Sequence, residues 1–217
     1  MKKIEIFYSR VEGSYFFFIG VAISIISIII SITLYTAGGA TYNIFTNYVS
    51  DLGATNAPNN ASIAFNMGLI VNSILSPFGN MCLVLIFQKK DLKQNWIIWF
   101  WFSTNLISTI ATFFVAIFPE DTMLLPHNFA AFVTFAFLML YNLIYCVIAL
   151  LAGKIAKYHS IPAFTLVLIN IVFMISYASN VYEPIVTFLE WMVLFGGWAF
   201  GIYLGLFTLK ARKNEEE

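Results

Sequence analysis

The sequence predicts an all-α, polytopic membrane protein: six transmembrane helices in one bundle, with both termini cytoplasmic. Three observations carry this. Hydrophobic residues make up 60% of the chain and charged residues 10%, where a soluble domain has roughly 25% charged. The apolar residues gather into six runs, each long enough for the roughly 20-residue helix that spans a bilayer. The basic residues are also segregated. Lys2, Lys3 and Arg10 precede the first run, and Lys89, Lys90 and Lys93 separate the second from the third. Lys154 and Lys157 separate the fourth from the fifth, and Lys210, Arg212 and Lys213 follow the sixth. These are all 11 Lys and Arg residues of the chain. The three alternate connections carry none, which places them outside and both ends of the chain inside. No basic patch is interleaved with aromatics, so nucleic acid is not an expected partner. The whole of 1–217 reads as a single membrane domain.

The first span is expected at about 15–36, an Ile-rich run with a small-residue face at Ser24, Ser27 and Ser31, ended by Gly38-Gly39. The outer loop that follows, 37–61, is long and rich in Asp, Asn, Gly and Pro, which marks it as the site-bearing loop. The second span, 62–87, sets Ser62, Asn66, Ser73, Pro77 and Asn80 on one face. The third, 96–118, does the same with Asn105, Ser108, Thr109 and Thr112, and stops at Pro119. The fourth, 127–152, opens after Pro126 and carries His127, Ala131, Thr134, Tyr141 and Tyr145 at helical spacing. The fifth is expected at 161–181 and the sixth, after Pro184, at 185–209. The charged tail from 210 to 217 is expected to fray.

Polar side chains inside hydrocarbon need partners, so the three stripes should face the bundle interior. There they serve either as interhelical hydrogen bonds or as the lining of a cavity for a lipid headgroup or an ion. In the sixth span Gly197, Gly201 and Gly205 recur every fourth residue, a groove for close helix packing. Its partner is either a helix of the same chain or, in a homo-oligomer, a second copy. Cys82 and Cys146 have no metal or redox spacing and read as small apolar fillers.

Asp51, Glu120, Asp121, His127, Glu183 and Glu190 gather outside the membrane or near its outer edge. Glu190 lies inside the sixth span, roughly 8 Å from its start at 1.5 Å per residue. A carboxylate there must be paired, protonated or wet, which makes it a site candidate with His127 or Asp51 as partner. The candidate ligand-binding set is Ser50, Asp51, Asn66, His127 and Glu190, with Asp51, His127 and Glu190 as the catalytic candidates. Asp51 is expected near His127, and both Asn66 and His127 near Glu190. With one outer histidine and no His-rich spacing, no metal site is assigned. No cofactor is identifiable.

Three segments carry a family resemblance. Tyr48-Val49-Ser50-Asp51-Leu52-Gly53-Ala54-Thr55-Asn56-Ala57-Pro58, followed by Phe65-Asn66-Met67-Gly68, resembles the loop-to-second-helix signature of the Domain of Unknown Function 998 family. The signature recurs in the wider DRAM/Frag/Sfk group of six-span proteins. Phe118-Pro119 with His127-Asn128-Phe129-Ala130-Ala131-Phe132 and Phe135 resembles that group's start of helix four. Leu189-Glu190-Trp191 resembles its last helix, except that Trp191 stands where a basic residue is expected. The resemblance implies a six-helix membrane protein engaged with lipid and identifies no reaction. The leading expectation is therefore a multi-pass cell-membrane protein whose partner is membrane lipid, bound or organised through an outer polar site. A lipid-remodelling hydrolase or acyltransferase using Asp51, His127 and Glu190 is the alternative. A small transporter is the third class, against which the absence of a detectable repeat counts.

Overall fold

The computed structural model describes residues 2–89, 95–151, 157–179 and 182–216. The links that carry Lys90, Lys93 and Lys154 lie outside the described residues. Helices account for nearly all of the described chain: α1 (Lys2–Arg10), α2 (Ser14–Ala37), α3 (Ala61–Lys89), α4 (Asn95–Ile117), α5 (Leu124–Leu151), α6 (Ser160–Ala178) and α7 (Glu183–Glu216). Six of them, α2 to α7, are long and apolar enough to cross a membrane, which is compatible with a multi-pass membrane protein. Their bounds fall within a few residues of the sequence expectations except at the C-terminus. There α7 runs on to Glu216 instead of fraying from residue 210. Lys, Ala, Arg and Glu are good helix formers, so the tail simply continues the helix. Arg212 also holds it in place. Its guanidinium donates to Glu12 Oε2 at 2.8 Å and to the Ser9 carbonyl at 3.2 Å.

Consecutive long helices pack against one another, and α7 returns to α2, so the six close into a ring. The ring inverts the pattern of a water-soluble bundle. Ile26, Ile29, Ile63, Ile74, Ile110, Phe132, Leu168 and Ile175 are exposed on its outside. Ser24, Ser73, Asn80, Asn105, Ser108, His127 and Asn142 are buried. At the end where the chain starts and stops, here the basic end, Leu83, Val84, Phe87, Trp101, Tyr145, Ile148, Phe200 and Leu204 form a dense apolar plug. The Trp101 and Tyr141 rings stack there at 5.1 Å.

The opposite, loop end is capped by the segment between α2 and α3. Leu52 is 0% exposed and packs with Val49, Ile28, Phe65 and Trp191. Gly53 permits this. A Cβ there would meet Asn66 Oδ1 at 2.8 Å and the Phe65 ring at 3.0 Å. The loop then enters α3 through two left-handed residues, Asn59 (φ 52°) and Asn60 (φ 57°). Asn tolerates that conformation better than most residues.

On α7 the expected glycine groove is partly filled from within the chain. Hypothetical Cβ atoms at Gly201 and Gly205 would meet Val21 at 2.9 Å and the Phe18 ring at 2.7 Å, both on α2. Trp198 Nε1 donates to Ser24 Oγ at 2.9 Å in the same seam. Gly197 has nothing within 4 Å of its Cβ position, because it faces the hole in the ring.

Candidate functional site

The hole in the ring is a cavity of about 280 Å³. All six long helices contribute to its wall. On α7 alone the lining runs from Glu190 to Leu204, about 21 Å of helix at 1.5 Å per residue. The stripes read from the sequence supply much of its polar surface: Ser73 and Asn80 from α3, Asn105, Ser108, Thr109 and Thr112 from α4, and His127, Thr134 and Tyr141 from α5. Ser62, Pro77 and Tyr145 belong to the same stripes and are not part of the wall. Sequence reasoning missed Asn72, Ser76, Asn142 and Trp198, which are. Asn72 and Ser76 could have been found, since positions 69, 72, 73, 76 and 80 repeat at the same helical period.

Inside the cavity the amides and hydroxyls bond to one another. Tyr141 OH donates to Asn80 Oδ1 at 2.6 Å, Asn80 Nδ2 donates to the Ser76 carbonyl at 2.9 Å, and Asn105 Nδ2 donates to Ser76 Oγ at 3.2 Å. Ser108 Oγ donates to the Thr134 carbonyl at 3.1 Å, joining α4 to α5. The network is incomplete: Asn105 Oδ1, Thr134 Oγ1 and Asn142 Oδ1 are buried with no hydrogen-bond partner.

At the loop end Val49, Ser50, His127 and Glu190 line the cavity. Glu190 Oε2 accepts the Val49 backbone N–H at 2.7 Å. The next residue, Trp191, is 2% exposed and donates its indole N–H to the Asn47 carbonyl at 3.2 Å. Two neighbouring positions on α7 thus hold the loop over the cavity mouth. Where a basic residue was expected after the carboxylate, an aromatic anchors the loop instead. A third tie lies further out: Asp121 accepts from Thr55 N–H at 2.9 Å, Thr55 Oγ1–H at 2.5 Å and Asn56 N–H at 3.1 Å. The Thr55 hydroxyl chiefly lowers the Asp121 pKa from the ordinary Asp value, and the two loop amides help.

His127 is 5% exposed. Its Nδ1 lies 2.7 Å from the Phe118 carbonyl. A carbonyl can only accept, so Nδ1 carries the proton. Its Nε2 faces Glu120 Oε2 at 3.9 Å. The acidic side chain that His127 Nε2 faces is thus Glu120. Asp51 turns back on its own loop, accepting from Tyr48 N–H at 2.9 Å and Asn47 Nδ2 at 3.2 Å. Burial raises its pKa; the Asn47 amide opposes this, Glu120 adds to it, the Tyr48 N–H opposes it, and Glu183 adds again. Asn66 is likewise committed elsewhere, donating to the Gly53 carbonyl at 3.2 Å. Of the five candidate ligand-binding residues, Ser50, His127 and Glu190 share the cavity wall, while Asp51 and Asn66 shape the loop that closes it. Among the described residues, no three His, Cys, Asp or Glu side chains gather as a metal centre.

A family model described as Protein of unknown function (DUF998) matches residues 18–206, a stretch that reaches into all six long helices. The chain belongs to the DUF998 family. No curated protein and no solved structure matches it. In this DUF998 chain the matched stretch holds the loop, Glu190, His127 and the whole polar network, and leaves out α1 and the end of α7. Chemically, the arrangement offers a long, mostly apolar chamber with a carboxylate and an imidazole at one end. A loop latched onto that carboxylate forms its roof.

Proposed function

We propose that this DUF998 protein is an integral cell-membrane protein, cytoplasmic at both termini, that binds a membrane lipid or related amphiphile in its central cavity. The supporting observation is the cavity itself, with polar groups along one side and apolar residues such as Phe17, Val21, Leu69, Phe135, Val193 and Leu194 along the rest. Its volume of about 280 Å³ is near the lower end of ligand sites, roughly 300–1,000 Å³, and suits one ligand. The apolar exterior supports membrane insertion, and the basic residues support the orientation. The likeness of three short motifs to the wider DRAM/Frag/Sfk group points to lipid as well, by analogy only.

The enzyme reading asks for Asp51, His127 and Glu190 at one point. Asp51 accepts from its own turn, and His127 is held by Phe118 and faces Glu120, contacts that do not favour these three side chains acting as one catalytic group. Binding is therefore the better-supported function. The test is organic extraction of protein purified in a neutral maltoside detergent, comparing the parent with Gly197→Leu, whose new side chain enters the open space at that position. The parent is expected to carry about one amphiphile per chain, and Gly197→Leu much less. Equal amounts in both, or none in the parent, would remove the cavity from the function.

A further inference from the structure

Two amide oxygens and one hydroxyl, Thr134 Oγ1, stand buried in the cavity wall without a hydrogen-bond partner. Asn142 is 1% exposed and spends its Nδ2 on the Leu138 carbonyl at 2.9 Å. Since a carbonyl only accepts, the amide orientation is settled, and Asn142 Oδ1 is an acceptor with no donor. Asn105, 6% exposed, sets its Nδ2 against the Ser76 hydroxyl and, in that placement, leaves its Oδ1 unanswered. Buried acceptors without donors are costly, and both residues line the cavity. At the mouth, Glu190 has its Oε2 answered by Val49. Among the described residues, no Lys or Arg contributes to the wall. Among the described lining residues, the side chain that can carry positive charge is His127. Its Nδ1–H is taken by Phe118, and its Nε2 is turned toward the Glu120 carboxylate.

An anionic headgroup in this chamber would meet a carboxylate and amide oxygens, with no Lys or Arg among the described lining residues to offset it, an arrangement that low dielectric penalises. A group made of N–H donors with positive charge meets the opposite situation: a carboxylate to pair with and further acceptors along the wall. Resting on the lipid-binding reading above, we propose that the cavity ligand carries a primary ammonium on an apolar chain, with the ammonium seated at Glu190. Phosphate and carboxylate headgroups are rejected by the same wall. Because Glu190 also holds Val49, an ammonium arriving there competes with the latch of the roof loop.

The test uses the full chain in a neutral maltoside detergent and four probes: n-octylamine, ethylamine, 1-octanol and octyl phosphate. Binding is followed by calorimetry or by the fluorescence of Trp198, which lines the cavity. Octylamine is expected to bind about tenfold or more tighter than octyl phosphate, in keeping with a charge-assisted hydrogen bond. Glu190→Gln, which keeps an oxygen for Val49, is expected to weaken octylamine by about tenfold and 1-octanol by less than about twofold. Octyl phosphate binding as tightly as octylamine in the parent, a comparison that needs no variant, overturns the ammonium assignment. So does an octylamine affinity unchanged in Glu190→Gln. The source of the amine is read separately: ethylamine weaker than octylamine by about tenfold or more places the ammonium on an apolar chain, and equal affinities overturn that part. If Gly197→Leu binds 1-octanol and octylamine as the parent does, the cavity reading itself fails.

Discussion

Glu190 serves two structures with one carboxylate, holding Val49 of the roof loop and facing the chamber beneath it. That dual use separates its substitutions. Glu190→Gln preserves an acceptor and should keep thermal stability in detergent close to that of the parent. Glu190→Leu leaves the Val49 N–H unanswered and should cost about 1–3 kcal/mol, read as a lowered unfolding midpoint. Asp51 behaves differently. Its carboxylate caps Asn47 and Tyr48, so Asp51→Asn should be tolerated and Asp51→Ala should cost about 1 kcal/mol by the same measurement. Asp121 gives a pH dependence. Its pKa in the folded protein lies below the ordinary Asp value, so its contribution to stability is fully present above that value. The contribution is lost as pH falls through the folded pKa, and the tie from Thr55 and Asn56 should then release. A spin label attached beforehand to a cysteine placed at Asn56 should gain mobility under that acidification in the parent, and should show no such pH step in Asp121→Asn.

At the scale of elements, the seam between α2 and α7 gives a position-by-position test. Gly201→Leu and Gly205→Leu push into Val21 and Phe18, and overpacking of this kind costs about 1–3 kcal/mol. Gly197→Ala meets nothing within 4 Å and should be nearly neutral. Equal losses at all three positions in thermal unfolding would show that the seam is not packed as described. The spans themselves were legible because each is an unbroken apolar run bounded by Gly or Pro. The helix α1 and the extension of α7 were not, because hydropathy is blind to charged, amphipathic helix. The tertiary contact between Arg212 and Glu12 adds to the helix propensity of the tail residues. The stripes were legible as faces, since helical spacing fixes which residues share a side. Their division into cavity wall and buried plug was not, because Asn80 and Tyr145 sit on comparable stripes and differ only in what the neighbouring helix places opposite them.

Across the whole molecule, closing six helices into a ring leaves a central hole, and the polar residues are spent there rather than on the outside. Ser50, His127 and Glu190, singled out from their chemistry, all line that hole. Asp51 and His127 each take a local partner, because a loop carboxylate and a helix-start histidine can be satisfied nearby, and sequence alone does not rank local against distant partners. Here Tyr48 N–H and the Phe118 carbonyl supply those local partners. The proposed orientation is checked by impermeant thiol labelling in intact cells at Asn56→Cys and Ser9→Cys, where only the first should react. The central claim, a chamber that holds one amphiphile beneath the roof loop, is tested most directly by an experimental density map of the protein in nanodiscs of native lipid. The expected map shows one elongated density inside the ring, between Glu190 and Asn142, with the loop over it. A collapsed ring, or a hole containing only water while lipid occupies the outside alone, would contradict the account.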